Sequence, residues 1–302
     1  MMSKNSATGI GLVAVLLWGA VVGSIRGLSE HLGPVGGAAL MYSLASVLLL
    51  ATVGLGRVWE FPRRYLVWGS VLFVSYELCL SLSIGYASNA RQAIEVGMVN
   101  YLWPSFTLLA AIVFNRQRAN ALIVPGFVLC LLGIAWGLGG EKCLDLPGIV
   151  QIVELNPLSY GLAFAGALIW AAYCTVTARI AGGKNGVTLF FMLTALALWV
   201  KYLFFADEGA MQWSLQAALY LAMAAAAMGF GYAAWNVGIL HGNMTILAGA
   251  SYFTPVLSAA LAGLLLRTPL PWSFWQGACM VCAGSVLCWL ATRGARPKAA
   301  AA

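Results

Sequence analysis

Stretches of about 18 to 25 predominantly apolar residues recur from one end of this 302-residue chain to the other. Each has the length that crosses about 30 Å of hydrocarbon at about 1.5 Å per residue. In lipid a chain must satisfy its own backbone polar groups, and long continuous apolar runs do so as α-helices. Cutting at charges, Gly/Pro clusters and turn dipeptides gives ten helices, at 8–28, 34–55, 65–88, 93–114, 119–139, 157–179, 186–205, 214–240, 244–266 and 271–292. Composition points the same way. The chain is 62% hydrophobic and 8% charged, against about 45–50% and about 25% in soluble domains, which excludes a soluble globule.

The charges are informative by where they fall. Assigning loops to alternate sides puts eleven of the sixteen Lys and Arg residues on one side, among them Lys4, Arg57, Arg116, Lys184, Arg296 and Lys298. The other side receives five, Arg26, Arg91, Lys142, Lys201 and Arg267, together with the acidic Glu30, Glu141, Asp145, Glu154, Asp207 and Glu208. The positive-inside rule then predicts that both termini are cytoplasmic. A net charge of +7 spread as short clusters between spans is topogenic and calls for no nucleic-acid partner. The seven cysteines lie mostly within spans and read as packing residues. Two histidines, His31 and His241, both near loops, leave no metal site, and no H-E-x-x-H or Walker A motif occurs. The sequence therefore predicts no enzyme, no cofactor and no direct use of ATP. No motif resembles a channel filter.

The second half of the chain repeats the first. At an offset of 151 residues, Tyr101-Leu102-Trp103-Pro104 falls on Tyr252-Phe253-Thr254-Pro255, Gly126 on Gly277 and Gly133 on Gly284, and an offset of 152 brings Trp18 onto Trp170. Five helices per half is an odd number, so the second half enters the membrane from the opposite side. The predicted fold is an all-α membrane protein of ten transmembrane helices in two inverted five-helix repeats around a central cavity. Residues 1–140 form the first repeat, 141–156 a periplasmic linker and 157–302 the second repeat with a short basic tail.

Counting depth along each span identifies candidate site residues. Trp18, Tyr76, Glu77, Asn100, Tyr101, Trp103, Ser251, Tyr252 and Phe253 lie about 10 to 17 Å from a span end, and Trp170, Tyr173 and Asn236 are assigned to a similar level. Trp and Tyr normally gather at membrane interfaces; at mid-depth their N–H and O–H groups need a polar or hydrated interior, so the set predicts a substrate cavity, while each ring alone fits simple packing equally well. Glu77 is a candidate to meet a substrate ammonium, to carry a coupling proton, or to pair with a donor on an adjacent helix. Arg91 and Glu95, near the external mouth, are weaker candidates that a solvated helix-start pair would equally explain. Pro104 and Pro255 cannot donate to the carbonyls of Asn100 and Ser251, so each predicts a kink and a freed carbonyl at mid-membrane.

The aromatic "LLWGA" opening, the proline in the fourth helix of each half and the inverted repeat resemble the drug/metabolite transporter superfamily with tandem EamA-type domains. The aromatic load of "YELCLSLSIGYASNARQAIEVGMVNY" and "VNYLWPSFTLL" resembles the bacterial inner-membrane exporters of aromatic amino acids. The resemblance implies a multi-pass secondary transporter or facilitator that exports aromatic and other apolar amino acids by alternating access, proton coupling being left open. Cationic drugs such as methyl viologen are the alternative cargo on the same scaffold.

Overall fold

A computed structural model describes residues 3–115, 118–140, 144–205 and 208–293. Arg116, Glu141, Lys142, Asp207, Arg296 and Lys298, which entered the sidedness count, lie outside the described residues. Fourteen α-helices run through the described residues without a strand. Each segment expected to be helical is helical over most of its length, with breaks or shorter ends in several. Seven helices are long and apolar enough to cross a membrane, and an eighth span results if α1 (Lys4–Gly19) and α2 (Val21–Leu32), bent by 41°, are taken together. The predicted fifth and ninth spans fall short of that length in different ways: α7 covers only Ile123–Leu138, and the 244–266 segment breaks into α12 (Met244–Ser251) and α13 (Thr254–Leu265).

Capping residues account for where several helices begin. The Ser3 side chain accepts from Ser6 N ahead of α1, and Asn89 accepts from Gln92 N ahead of α5 (Ala90–Asn100). Asn156 accepts from Ser159 N ahead of α9 (Pro157–Ile180), whose Pro157 supplies the preset φ of a first helical turn. Helix α3 (Pro34–Thr52) has no cap from its own chain segment. Instead Glu208, from the loop ahead of α11 (Leu215–His241), accepts from Val35 N at 2.8 Å and Gly36 N at 3.1 Å. A carboxylate at a helix N-terminus meets both the unpaired amides and the dipole. One stretch expected as linker is partly helical: Asp145 caps α8 (Leu146–Leu155), which buries none of its residues.

The most extensive packing runs between the two halves of the chain. Helix α1 lies on α11, α3 on α10 (Val187–Phe205), α4 (Ser70–Gly85) on α9, and α7 on α14 (Trp272–Arg293). Glycine makes the last of these approaches: a Cβ on Gly133 would stand 2.7 Å from the Gly277 carbonyl oxygen, and one on Gly126 3.0 Å from that of Gly284. Each residue of one pair has its 151-offset counterpart in the other, so the contact repeats itself with the two helices exchanged, as a two-fold relation requires. Cys130 Sγ lies between the two pairs, 3.5 Å from the Val281 carbonyl, again 151 residues away.

Candidate substrate cavity

Helices break twice at matched positions. Helix α5 ends at Asn100 and α6 (Trp103–Asn115) starts at Trp103, while α12 ends at Ser251 and α13 starts at Thr254. Both gaps end two residues before a proline, which has no N–H to continue the ladder. The first break is closed by tight bonds from Tyr101 N to Met98 O and Leu102 N to Val99 O, and the second by one from Phe253 N to Ala250 O. The main-chain carbonyl of Ser251, freed by Pro255, accepts from the Thr254 hydroxyl at 2.7 Å. It is thus already partnered within the chain.

Beside these breaks lies a cavity of about 220 Å³. Sixteen residues line it, and seven are aromatic: Trp18, Tyr76, Tyr101, Trp103, Trp170, Tyr232 and Trp235. The rest are apolar or uncharged, with Asn100, Cys174, Ser251 and Thr254 the polar ones. The rings support one another: Tyr76 packs on Trp170 with centroids 4.4 Å apart, Trp103 meets Trp170 edge-on at 6.2 Å, and Trp18 touches Tyr232 at 5.3 Å and Trp235 at 5.1 Å. Two buried polar atoms in the wall, Trp18 Nε1 and Asn100 Oδ1, take no hydrogen bond among the described residues. One is a donor and the other an acceptor. A buried polar atom without a partner costs about 1 to 3 kcal/mol. Here Nε1 packs on Gly231 and Oδ1 on Gly166, where a Cβ would stand 2.7 and 3.3 Å away, so a turn of either side chain towards the cavity would give it a ligand's polar group.

Of the residues singled out in the sequence, Trp18, Tyr76, Asn100, Tyr101, Trp103 and Trp170 come together in the wall. Tyr173 stands behind it, stacked on Trp170 at 5.0 Å. Four candidates stand elsewhere. Tyr252 is buried towards Trp289, with centroids 6.4 Å apart, and Phe253 is 55% exposed on the outer surface. Their break is rotated so that its flanking Ser251 and Thr254, not its aromatics, reach the cavity. Asn236 accepts from Asn185 Nδ2 at 3.0 Å; it lies five residues from the end of α11, about 7.5 Å along the helix, too near the loop to reach the centre. Glu77 is fully buried outside the cavity lining, with Oε2 accepting from Tyr42 at 2.7 Å and Oε1 from Tyr232 at 2.8 Å. The expected solvated pair is also different: Glu95 is buried, bonded to Arg91 Nε at 2.9 Å and to the Tyr160 hydroxyl at 2.9 Å.

Sequence reasoning missed Tyr232 and Trp235. Counting from the His241 end of α11 would have put them about 13.5 and 9 Å deep, deeper than the Asn236 that was chosen from the same helix. Val21, Val22, Gly97 and Met228 carried no signal beyond apolarity or small size.

Comparisons with known proteins identify the family. A model of the EamA-like transporter family matches residues 157–290. Aromatic amino acid exporter YddG of Salmonella typhimurium is 62% identical over 292 residues, 97% of this chain and 99% of that protein. The chain belongs to the YddG family of EamA-like transporters. A second family member, aromatic amino acid exporter YddG of Escherichia coli, is 59% identical over the same shares of both chains. The fold is also that of a solved crystal structure at 23% identity, with a TM-score of 0.65 over 95% of this chain and 99% of that one. As a member of the family the chain is a multi-pass helical membrane exporter.

Proposed function

We propose that this protein exports aromatic and other apolar amino acids across the bacterial inner membrane, binding them one at a time in the aromatic cavity. The observation that carries the reading is the pairing of an aromatic wall with one unpartnered donor, Trp18 Nε1, and one unpartnered acceptor, Asn100 Oδ1. An amino acid brings a carboxylate for the first, an ammonium for the second and a side chain for the rings. Both close relatives are named as exporters of aromatic amino acids. The cavity is smaller than the about 300 to 1,000 Å³ common for drug-sized ligands and no charged side chain lines it, which favours a small zwitterion over a dication.

The matched helix breaks and the exchanged glycine pairs support two inverted repeats, 1–140 and 157–302, joined by 141–156. The family match beginning at residue 157 agrees with that division. Such repeats rock about a central site in alternating access. With the basic loops inside, both termini are cytoplasmic. No catalytic role is assigned to the cavity. Glu77 acts in this reading as a positioning residue: its two oxygens hold Tyr42 of α3 and Tyr232 of α11, one tyrosine from each half.

Flux of labelled Trp, Phe, Thr and methyl viologen in proteoliposomes tests the proposal. Saturable flux of Trp and Phe above Thr is expected; methyl viologen flux without amino-acid flux would transfer the protein to the cationic-drug exporters. In the same assay Glu77→Gln is expected to lower flux at every pH and leave its dependence on a pH gradient unchanged. Loss of that dependence alone would make Glu77 the coupling site.

A further inference from the structure

Four helices that wall the cavity carry a second, charged cleft nearer one membrane face. Val21 and Val22 of α2, Gly97 of α5, Met228 of α11 and Thr254 of α13 line the central cavity. Glu30, Ala90, Tyr220 and Leu265 of the same four helices, with Gln216 and Arg267, line a cleft of about 500 Å³. The separations in sequence, 7 to 11 residues, put the cleft about 10 to 16 Å along the helix axes from the cavity. Between the two the path is packed shut. A Cβ on Gly23 would meet the Ala262 Cα at 3.0 Å, and one on Gly27 the Tyr220 ring at 2.4 Å.

The cleft differs from the cavity in having charge of both signs. Arg267 is exposed, forms no ion pair among the described residues, and is the one described non-glycine residue with a positive φ, 50°. Such a conformation costs on the order of 1 kcal/mol or more and persists where the surroundings dictate it. Here the end of α13 dictates it, with Arg267 N bonding Leu264 O and Thr268 N bonding Gly263 O. Across the cleft, Glu30 Oε1 is held by Arg26 at 2.9 Å, while Oε2 takes no hydrogen bond among the described residues. The α13 C-terminus adds partial negative charge at Leu265 and Leu266. Their carbonyls each accept one bond already, from the Tyr220 hydroxyl at 3.3 Å and the Thr268 hydroxyl at 3.1 Å, leaving a second lone pair apiece. The first turns of α5 and α11 add partial positive charge at Ala90 and Gln216.

We propose that this cleft is a second binding site for α-amino acids, in which the Arg267 guanidinium takes the carboxylate and Glu30 Oε2, with the carbonyl end of α13, takes the ammonium. The inference rests on the amino-acid reading of the cavity and adds a stop on the same path, where recognition is by the head group instead of the side chain. A molecule leaving the cavity through the α2, α5, α11 and α13 seam would exchange unpartnered wall atoms for full charge pairing before reaching water.

The test is ¹⁹F NMR of 4-fluoro-L-phenylalanine with the purified protein. Two bound resonances are expected. Arg267→Gln should weaken one about tenfold or more and leave the other, Arg267→Lys should restore part of the loss, and Trp103→Ala should remove the other resonance only. The decarboxylated analogue, 4-fluorophenethylamine, should lose the Arg267-dependent resonance in the parent protein. If the parent gives a single resonance that Trp103→Ala removes and Arg267→Gln does not, the outer site is wrong and the cavity reading stands. If the single resonance instead depends on Arg267, the cavity reading fails and the outer site stands; no bound resonance overturns both.

Discussion

The two helix breaks, at 101–102 and 252–253, are alike in backbone and unlike in chemistry. Each ends two residues before a proline, and each follows a short helix. In the first, Asn100, Tyr101 and Trp103 reach the cavity, bringing an amide and two aromatic edges. In the second, Tyr252 turns towards Trp289, Phe253 turns outward, and only the small hydroxyls of Ser251 and Thr254 reach it. Matched prolines fix where each helix can break, because proline chemistry is local. They do not fix which side of the break faces inward, because that is set by the neighbours packed around each half. Two loop carboxylates differ in a similar way. The exposed Glu60, in the loop after α3, pairs with Lys184 at 2.9 Å, while Glu208, in the loop ahead of α11, caps the amides that begin α3.

The largest effect is expected where the two halves have stayed alike. Gly133→Leu forces a side chain onto the Gly277 carbonyl, and overpacking of this kind costs about 1 to 3 kcal/mol. Loss of monodisperse protein on heating, at a lower temperature than the parent, checks it; an unchanged melting curve would mean that the α7 and α14 backbones are not in contact.

Next comes the cavity amide. Asn100→Leu removes an unpartnered buried acceptor, so stability should hold or rise while flux of L-Trp falls about tenfold. Ser251 already donates to the Ala248 carbonyl at 2.8 Å, and Ser251→Ala should change flux less than Asn100→Leu. Equal losses would erase the chemical difference between the breaks.

The smallest effects belong to the two loop carboxylates, Glu208 and Glu60. Glu208→Gln should destabilise by about 1 kcal/mol, as loss of a helix cap does, with a lower melting temperature as the readout. Glu60→Gln should do less, because its partners are solvated. Hydrogen bonds from Lys184 and Arg57 hold the Glu60 carboxyl below its ordinary value. Its contribution is therefore present above the usual carboxylate range and is lost as pH falls below that range through the lowered folded value. The gap in melting temperature between parent and Glu60→Gln should close on acidification; a gap that persists at low pH would contradict the ion pair.

Much of this architecture was legible in the sequence, for physical reasons that also explain the gaps. Apolar length reads out helices, and proline plus a fixed offset reads out both breaks, since each is a property of the chain alone. Depth is likewise a count, so Trp18, Asn100, Trp103 and Trp170 could be grouped without a structure. Rotation about a helix axis is not a count. Tyr252 and Phe253 have the right depth and face elsewhere, and Glu77 has the right depth but its two oxygens accept from Tyr42 and Tyr232. Asn236 shows a different limit, because depth measured from one end of a 27-residue helix misplaces residues near the other. The helical stretch Leu146–Leu155 was hidden inside a linker because its residues bury nothing in the protein.

Paired flux measurements on Trp103→Ala and Phe253→Ala reach the centre of this account most directly. Both remove one large ring beside one proline break, and only the first ring lines the cavity. In proteoliposomes loaded with labelled L-Trp, Trp103→Ala should lose about tenfold or more of the saturable flux while Phe253→Ala stays close to the parent. Equal loss in the two variants, or greater loss in Phe253→Ala, would contradict the assignment of the cavity as the amino-acid site.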